Sequence, residues 1–146
     1  MRRMLPDVNV WIALTFEAHQ HHRVAAAWLN SVGDDDRIYF CDVTQQALLR
    51  LATYLSLSDQ GPLSMQAAWA VYDAFQADPR IEFCQPVRRE VEPKWRTLTS
   101  QPTSCSKLWT DALIAATGLV EGLQVVTFDQ GFPNPAGLDV LSLSDH

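Results

Sequence analysis

Residues 108–129 read Leu-Trp-Thr-Asp-Ala-Leu-Ile-Ala-Ala-Thr-Gly-Leu-Val-Glu-Gly-Leu-Gln-Val-Val-Thr-Phe-Asp, and this stretch decides the fold class. From Leu108 to Val120 apolar side chains occupy nearly every face of a helical projection, so the helix belongs inside the molecule. Gly122 follows, and Leu123 to Phe128 is a near-continuous apolar run, the composition of a strand covered on both faces in a parallel sheet. A buried helix feeding a buried strand is the repeating unit of α/β architecture.

The same alternation runs through the rest of the chain. A short strand is expected around Met4 to Val8. Val24, Ala25, Trp28, Leu29 and Val32 share one helical face, which the polar run Gly33-Asp34-Asp35-Asp36 ends. Arg37 to Val43 reads as a strand. Thr44 reads as the N-cap of a helix beginning at Gln45, with Leu48, Leu51, Ala52 and Leu55 at i, i+3, i+4, i+7 spacing. After a polar Gly-Pro loop between Ser56 and Leu63, Met65, Ala68, Trp69 and Tyr72 give another amphipathic helix, closed by Asp78-Pro79. Ile81 to Cys84 is a short strand, Arg88 to Leu98 a helix interrupted by Pro93, Thr99 to Ser106 a polar loop, and Leu138 to Leu143 a last strand. The expectation is a central, mainly parallel sheet flanked by helices.

With 146 residues and 47% hydrophobic composition, the chain suits one domain over residues 1–146. Cys41, Cys84 and Cys105 are an odd number at irregular spacing, so neither a disulfide framework nor a zinc site follows. Pro6, Asp7 and Asn9 interrupt the apolar stretch after Arg2-Arg3 before a signal-peptide core forms, and no run is apolar enough to span a bilayer. A cytoplasmic protein without a membrane partner is expected. The formal charge of −6 argues against a broad basic surface for duplex DNA. It leaves room for nucleic acid at a site where divalent cations supply the positive field.

Asp111 is the most informative single residue, because it shares a face with Leu108, Ala112 and Ala115 on a helix expected to be buried. A carboxylate there needs a cation, hydrogen-bond donors or a metal, although a capping or ion-pair role is the plainer alternative. Asp7 and Asp129 each fall at the carboxyl end of an expected strand, the edge where open parallel sheets hold ligands. Gln45, just past the strand ending near Val43, reaches the same edge. Aspartate after a strand commonly makes only an Asx-turn or a cap. Three converging carboxylates repel one another, and the usual remedies are a shared proton or a hard cation such as magnesium or manganese.

Four segments in order carry a family resemblance: Leu-Pro-Asp-Val-Asn-Val-Trp-Ile-Ala-Leu (5–14), Val-Thr-Gln-Gln-Ala-Leu-Leu-Arg-Leu (43–51), Trp-Thr-Asp-Ala-Leu-Ile-Ala-Ala (109–116) and Val-Thr-Phe-Asp-Gln-Gly-Phe (126–132). Together they resemble the PIN domain of VapC-type toxins, as does His21-His22-Arg23 with Ala26, Ala27 and Trp28. The resemblance implies a PIN-like α/β fold and an endoribonuclease that uses Mg2+ or Mn2+ on single-stranded or structured RNA. It also implies a cognate VapB-like antitoxin and a homodimer. Asp7, Asp111 and Asp129 take the metal-binding positions, with Asn9 and Thr127 as secondary pocket residues. Gln45 departs from the pattern, standing where many PIN domains carry a glutamate. Its neutral amide can hold a cation or a water but is no general base, which keeps a catalytically degenerate RNA- or protein-binding module as the alternative.

Other candidates have plainer explanations. His19, His21 and His22 lack the i, i+4 pairing with an acidic partner of zinc enzymes. Asp34-Asp35-Asp36 is a solvated turn, and Arg50 lies on a solvated helix face. The five tryptophans sit mostly at core spacing and are expected to pack rather than to stack on bases.

Overall fold

The computed structural model describes residues 1–145. Strand β1 (Arg3–Pro6) leads into helices α1 (Val8–Thr15) and α2 (His22–Ser31), and β2 (Arg37–Phe40) into α3 (Asp42–Ala52) and α4 (Met65–Gln76). Then come β3 (Ile81–Phe83), α5 (Arg88–Leu98), α6 (Leu108–Glu121), β4 (Gln124–Thr127), β5 (Val140–Ser142) and a 3-10 turn at Leu143–Asp145. The strands form one sheet in the order β3-β2-β1-β4-β5, with every neighbouring pair parallel. The chain steps outward from β1 to β3 and returns through α5 and α6 to β4, on the other side of β1. Strand order therefore reverses between β1 and β4, and such a reversal opens a crevice beyond the carboxyl ends of those two strands.

The alternating sides of the strands divide the core in two. Met4 and Val126 face a cluster with Trp11, Phe16, Trp28, Phe40 and Leu48, whereas Leu5 and Val125 face one with Ile114, Ala115, Leu123 and Phe132. Helix α6 lies close to the second face because residue 118 is glycine. A Cβ there would sit 2.9 Å from Leu138 Cδ1, 3.2 Å from the Leu123 carbonyl oxygen and 3.2 Å from Val125 Cγ2. Gly118→Ala is expected to lower stability by about 1–3 kcal/mol through overpacking. A chemical-denaturation midpoint equal to that of the parent chain would disprove that close approach.

Several sequence expectations need correction. The first strand does not run to Val8: it stops at Pro6, and Asp7 caps a helix over residues 8–15 that the pattern does not announce. Helix α3 begins at Asp42, not Gln45, because Cys41 is its cap: the Cys41 N–H donates to Thr44 Oγ1 at 2.9 Å. Pro93 does not interrupt α5. Proline lacks the N–H that would bond the Arg89 carbonyl, but that carbonyl belongs to an exposed residue, where solvent substitutes. Of the tryptophans, Trp11 and Trp28 are core residues, while Trp69 and Trp109 are 50% and 57% exposed. Among the described residues no helix is long and apolar enough to cross a membrane.

Candidate active site

The crevice is built by the continuation of two neighbouring strands. In β1 and β4, Pro6 is level with Val126, and the next N–H, that of Asp7, donates to the Val126 carbonyl at 2.8 Å. Asp7 is thereby held beside Thr127, whose hydroxyl donates to Asp7 Oδ2 at 2.9 Å. The other oxygen, Oδ1, caps α1 by accepting the Val8 N–H at 2.7 Å. In the first turn of α1, the Asn9 amide donates to Asp7 Oδ2 at 3.3 Å and to Thr127 Oγ1 at 3.1 Å, and its carbonyl accepts the Phe128 N–H at 3.2 Å.

Beyond β4 the chain turns sharply. The Asp129 N–H donates to Thr127 Oγ1 at 3.0 Å, and Asp129 Oδ1 accepts the Gly131 N–H at 2.9 Å, an Asx-turn that leaves the other carboxylate oxygen to meet Lys107. Asp111 comes from the first turn of α6, where the helix dipole favours a carboxylate. It is buried, as are Asp7 and Thr127.

The electrostatics agree with one acidic cluster. Burial pushes the Asp7 carboxyl from 3.8 up to about 6, against the hydrogen bonds from Thr127 and Val8, and the charges of Asp111 and Asp129 push it the same way. Asp111 is also raised, chiefly by burial and opposed by Lys107. Asp129 is lowered, chiefly by its hydrogen bond from the Lys107 ammonium. Lys107, just before α6, hydrogen-bonds Asp129 and lies 3.5 Å from Asp111 Oδ2, so an internal cation bridges two of the three acids. Lys107 is not among the residues that the sequence singles out. Its i, i+4 spacing to Asp111 is the one clue there; the contact with Asp129, 22 positions away, is tertiary.

Asp7, Asp111, Asp129, Asn9 and Thr127 are thus brought together. Among the described residues no hydrogen bond or ion pair joins Gln45 to them: on the first turn of α3, its side chain lies beside the Tyr72 hydroxyl of α4. The histidines have structural contacts instead. His22 Nδ1 lies 2.7 Å from the Ala13 carbonyl, His19 Nδ1 accepts the His21 N–H at 3.0 Å, and the His21 ring stacks on Phe128 at 4.4 Å. The Cys41 and Cys84 thiols are pushed up by burial, Cys84 to about 12, which leaves them protonated and unreactive.

The carboxylates of Asp7, Asp111 and Asp129 and the Thr127 hydroxyl offer hard oxygen atoms, the type that divalent magnesium or manganese takes. As the side chains stand, no three His, Cys, Asp or Glu groups among the described residues already form a cage for an ion. The ammonium of Lys107 lies where positive charge is wanted, and the excess of carboxylates over cations still leaves Asp7 uncompensated.

Comparison with known proteins gives one consistent answer. The PIN domain family model matches residues 4–138. Ribonuclease VapC41 of Mycobacterium tuberculosis is 37% identical over 144 residues, covering 97% of this chain and 99% of the relative. Among solved structures, VapBC2 from Rickettsia felis, bound to a DNA fragment from its promoter, superposes with a TM-score of 0.70 at 14% identity, covering 96% of this chain and 98% of the other. The Mycobacterium tuberculosis VapC20, a Sarcin-Ricin loop cleaving toxin, gives 0.64 at 17% identity, with 88% and 92% covered. At such identities the superpositions speak for the fold alone.

Proposed function

The chain belongs to the PIN-domain family, and from that premise we propose that it is a divalent-metal-dependent endoribonuclease, the toxin of a toxin–antitoxin pair. The observation that carries the reading is the convergence of Asp7, Asp111 and Asp129 at the β1–β4 switch point, with Asp7 still pushed up to about 6. A bound Mg2+ or Mn2+ would activate water and stabilise charge on the phosphate during hydrolysis of the phosphodiester. Asp7, Asp111 and Asp129 would hold it. The chain's own groups fix the geometry: Val8 N–H and the Thr127 hydroxyl orient Asp7, and the Gly131 N–H orients Asp129. Asn9 bridges the two strand ends.

Two measurements test the reading. Purified protein should cleave unpaired RNA with Mg2+ or Mn2+, lose the activity to a chelator, and fall by about a thousandfold or more as Asp111→Asn, the size of effect that removal of a central catalytic interaction produces. Full cleavage by that variant would refute the assignment. Lys107 is the cation that any incoming ion must displace from Asp129 and Asp111. Lys107→Gln is accordingly expected to tighten Mn2+ binding by about tenfold in calorimetric titration, since like charges a few ångströms apart repel by about 1 kcal/mol or more. An unchanged affinity would place the ion elsewhere.

The antitoxin belongs to the same proposal. A structural relative at 17% identity, VapBC-1 from nontypeable Haemophilus influenzae, has a TM-score of 0.68 over 99% of both chains. An acidic crevice suits a partner segment bearing arginine, whose fork pairs with carboxylates. A homodimer and a cytoplasmic setting complete the reading. The second reading, a degenerate binding module, is motivated by Gln45, whose amide lies beside Tyr72. The metal titration separates the two, because a degenerate pocket would bind no ion.

A further inference from the structure

Basic residues are scarce and unevenly spread. Residues 88–107 hold five of the eleven lysines and arginines, namely Arg88, Arg89, Lys94, Arg96 and Lys107, but only two of the seventeen acids, Glu90 and Glu92. Lys107 is held by Asp111 and Asp129, but the two ion pairs on α5 are loose: Arg88 and Arg96 both reach Glu92, at 3.6 and 3.7 Å, and their side chains are 74% and 76% exposed. Pairs of that kind contribute little and leave the guanidinium groups available. Among the described residues Arg89 and Lys94 have no acidic partner. Lys107 apart, the segment still carries four cations against two acids on an otherwise acidic protein, a positive strip of sequence.

Two tryptophans lie along the strip. Trp95 on α5 and Trp109 on the first turn of α6 meet edge to face, with ring centroids 6.0 Å apart at 74°. The Trp95 indole N–H donates to the Trp109 carbonyl at 2.9 Å, which fixes its plane, and the Trp109 side of the pair is open to solvent. The rings line a depression of about 320 Å³ with Glu92, Arg96, Thr99 and Ser100, and Glu92 is the acid that Arg96 loosely pairs with. Thr99 and Trp109 also line a second depression of about 360 Å³ floored by the polar loop before α6, so the two adjoin at those residues and together make a trough-like surface. That loop ends at Lys107, whose ammonium touches Asp129 and Asp111.

We propose that this trough binds unpaired RNA, with a base stacked on Trp109 and phosphates met by Arg96 and Lys107, and delivers the strand to the acidic cluster. The inference rests on the ribonuclease reading for its ligand. An open indole braced by a second ring, beside an exposed and only loosely paired guanidinium and joined through the loop end at Lys107 to the acidic cluster, matches how single strands are held without sequence reading. The hydroxyls and amide of the loop, Gln101, Thr103, Ser104 and Ser106, offer hydrogen bonds to exposed base edges.

The test is fluorescence anisotropy with a short labelled oligo-uridylate, in the full chain carrying Asp7→Asn so that the strand stays intact. Trp109→Ala should weaken binding about tenfold or more, Trp109→Phe should retain most of it, and Arg96→Ala should weaken binding and flatten its salt dependence. In the parent chain, Trp109→Ala should raise KM with kcat largely kept. Affinity unchanged within about twofold in Trp109→Ala overturns the proposal, given the size of the stacking contribution. It also falls if that variant binds RNA normally but changes oligomeric state in light scattering, since the trough is then a protein interface. If the parent chain binds the oligonucleotide through Trp109 yet cleaves no RNA with either metal, the trough stands and the nuclease reading is what fails.

Discussion

Asp7→Asn is expected to reduce metal-dependent RNA cleavage by about a thousandfold or more while making the metal-free protein more stable. The two effects share one cause. In the folded chain Asp7 is buried beside Asp111 and Asp129, and its carboxyl is pushed from 3.8 up to about 6. Above pH 6 it is ionised in both folded and unfolded states, and holding that charge in the fold costs roughly 3 kcal/mol. Asparagine removes the charge and remains a good N-cap for α1, so the Val8 N–H keeps its acceptor. Realignment of the Thr127 hydroxyl offsets part of the gain. The sign with pH follows from linkage: between 3.8 and about 6 the folded state binds the extra proton, so the parent chain regains this stability as pH falls. The advantage of the variant should be largest at about pH 7–8 and vanish toward about pH 4. Urea midpoints of both proteins in chelator, across that range, check the claim; a variant less stable than the parent at neutral pH would refute it.

Trp11→Ala carries the largest expected loss of stability, about 3–5 kcal/mol. The Trp11 ring is fully buried, stacks on Phe40 with centroids 3.8 Å apart at 13°, and meets Phe75 edge-on at 4.9 Å. Phe40 cannot collapse into the space, because β2 is paired on both sides within the sheet. For a domain of this size the melting temperature should drop by about 10 °C or more. Trp11→Phe should cost much less, because among the described residues the indole Nε1 has no partner to lose. Calorimetric melting of both variants decides the point, and a loss below about 1 kcal/mol for alanine would show that the stack is not part of the core's support. Since Asp7 caps the helix that carries Trp11, the alanine variant should also lose cleavage, through loss of fold and not of chemistry.

What is legible in the sequence, and what is not, follows from where the information sits. Helix α6 and strand β4 declare themselves because one is apolar on all sides and the next is a short apolar run after glycine. Asp7 and Asp129 are legible as strand-end residues, and Asp111 as a carboxylate on a buried helix face. Helix α1 is hidden for the reason that α6 is clear: Val8 to Leu14 is apolar nearly throughout, but with eight residues in the helix it is short enough to pass for a strand's continuation. The roles of Lys107, Trp95 and Trp109 depend on contacts between segments. Spacing along α5 gives no hint that Trp95 turns toward Trp109. Gln45 follows the expected strand as the pattern implies, yet its neighbour, Tyr72, comes from a helix whose docking no local pattern encodes.

The hydroxyl of Thr127 donates to Asp7, and accepts from the Asn9 amide and the Asp129 N–H. One oxygen atom is therefore the shared hinge pin of two strand ends and a helix. A shift of either acid swings the other, and replacing any one of the four residues changes what the remaining three can tolerate. Mutational paths through this pocket are consequently narrow: its members are free to change as a set, far less so one at a time.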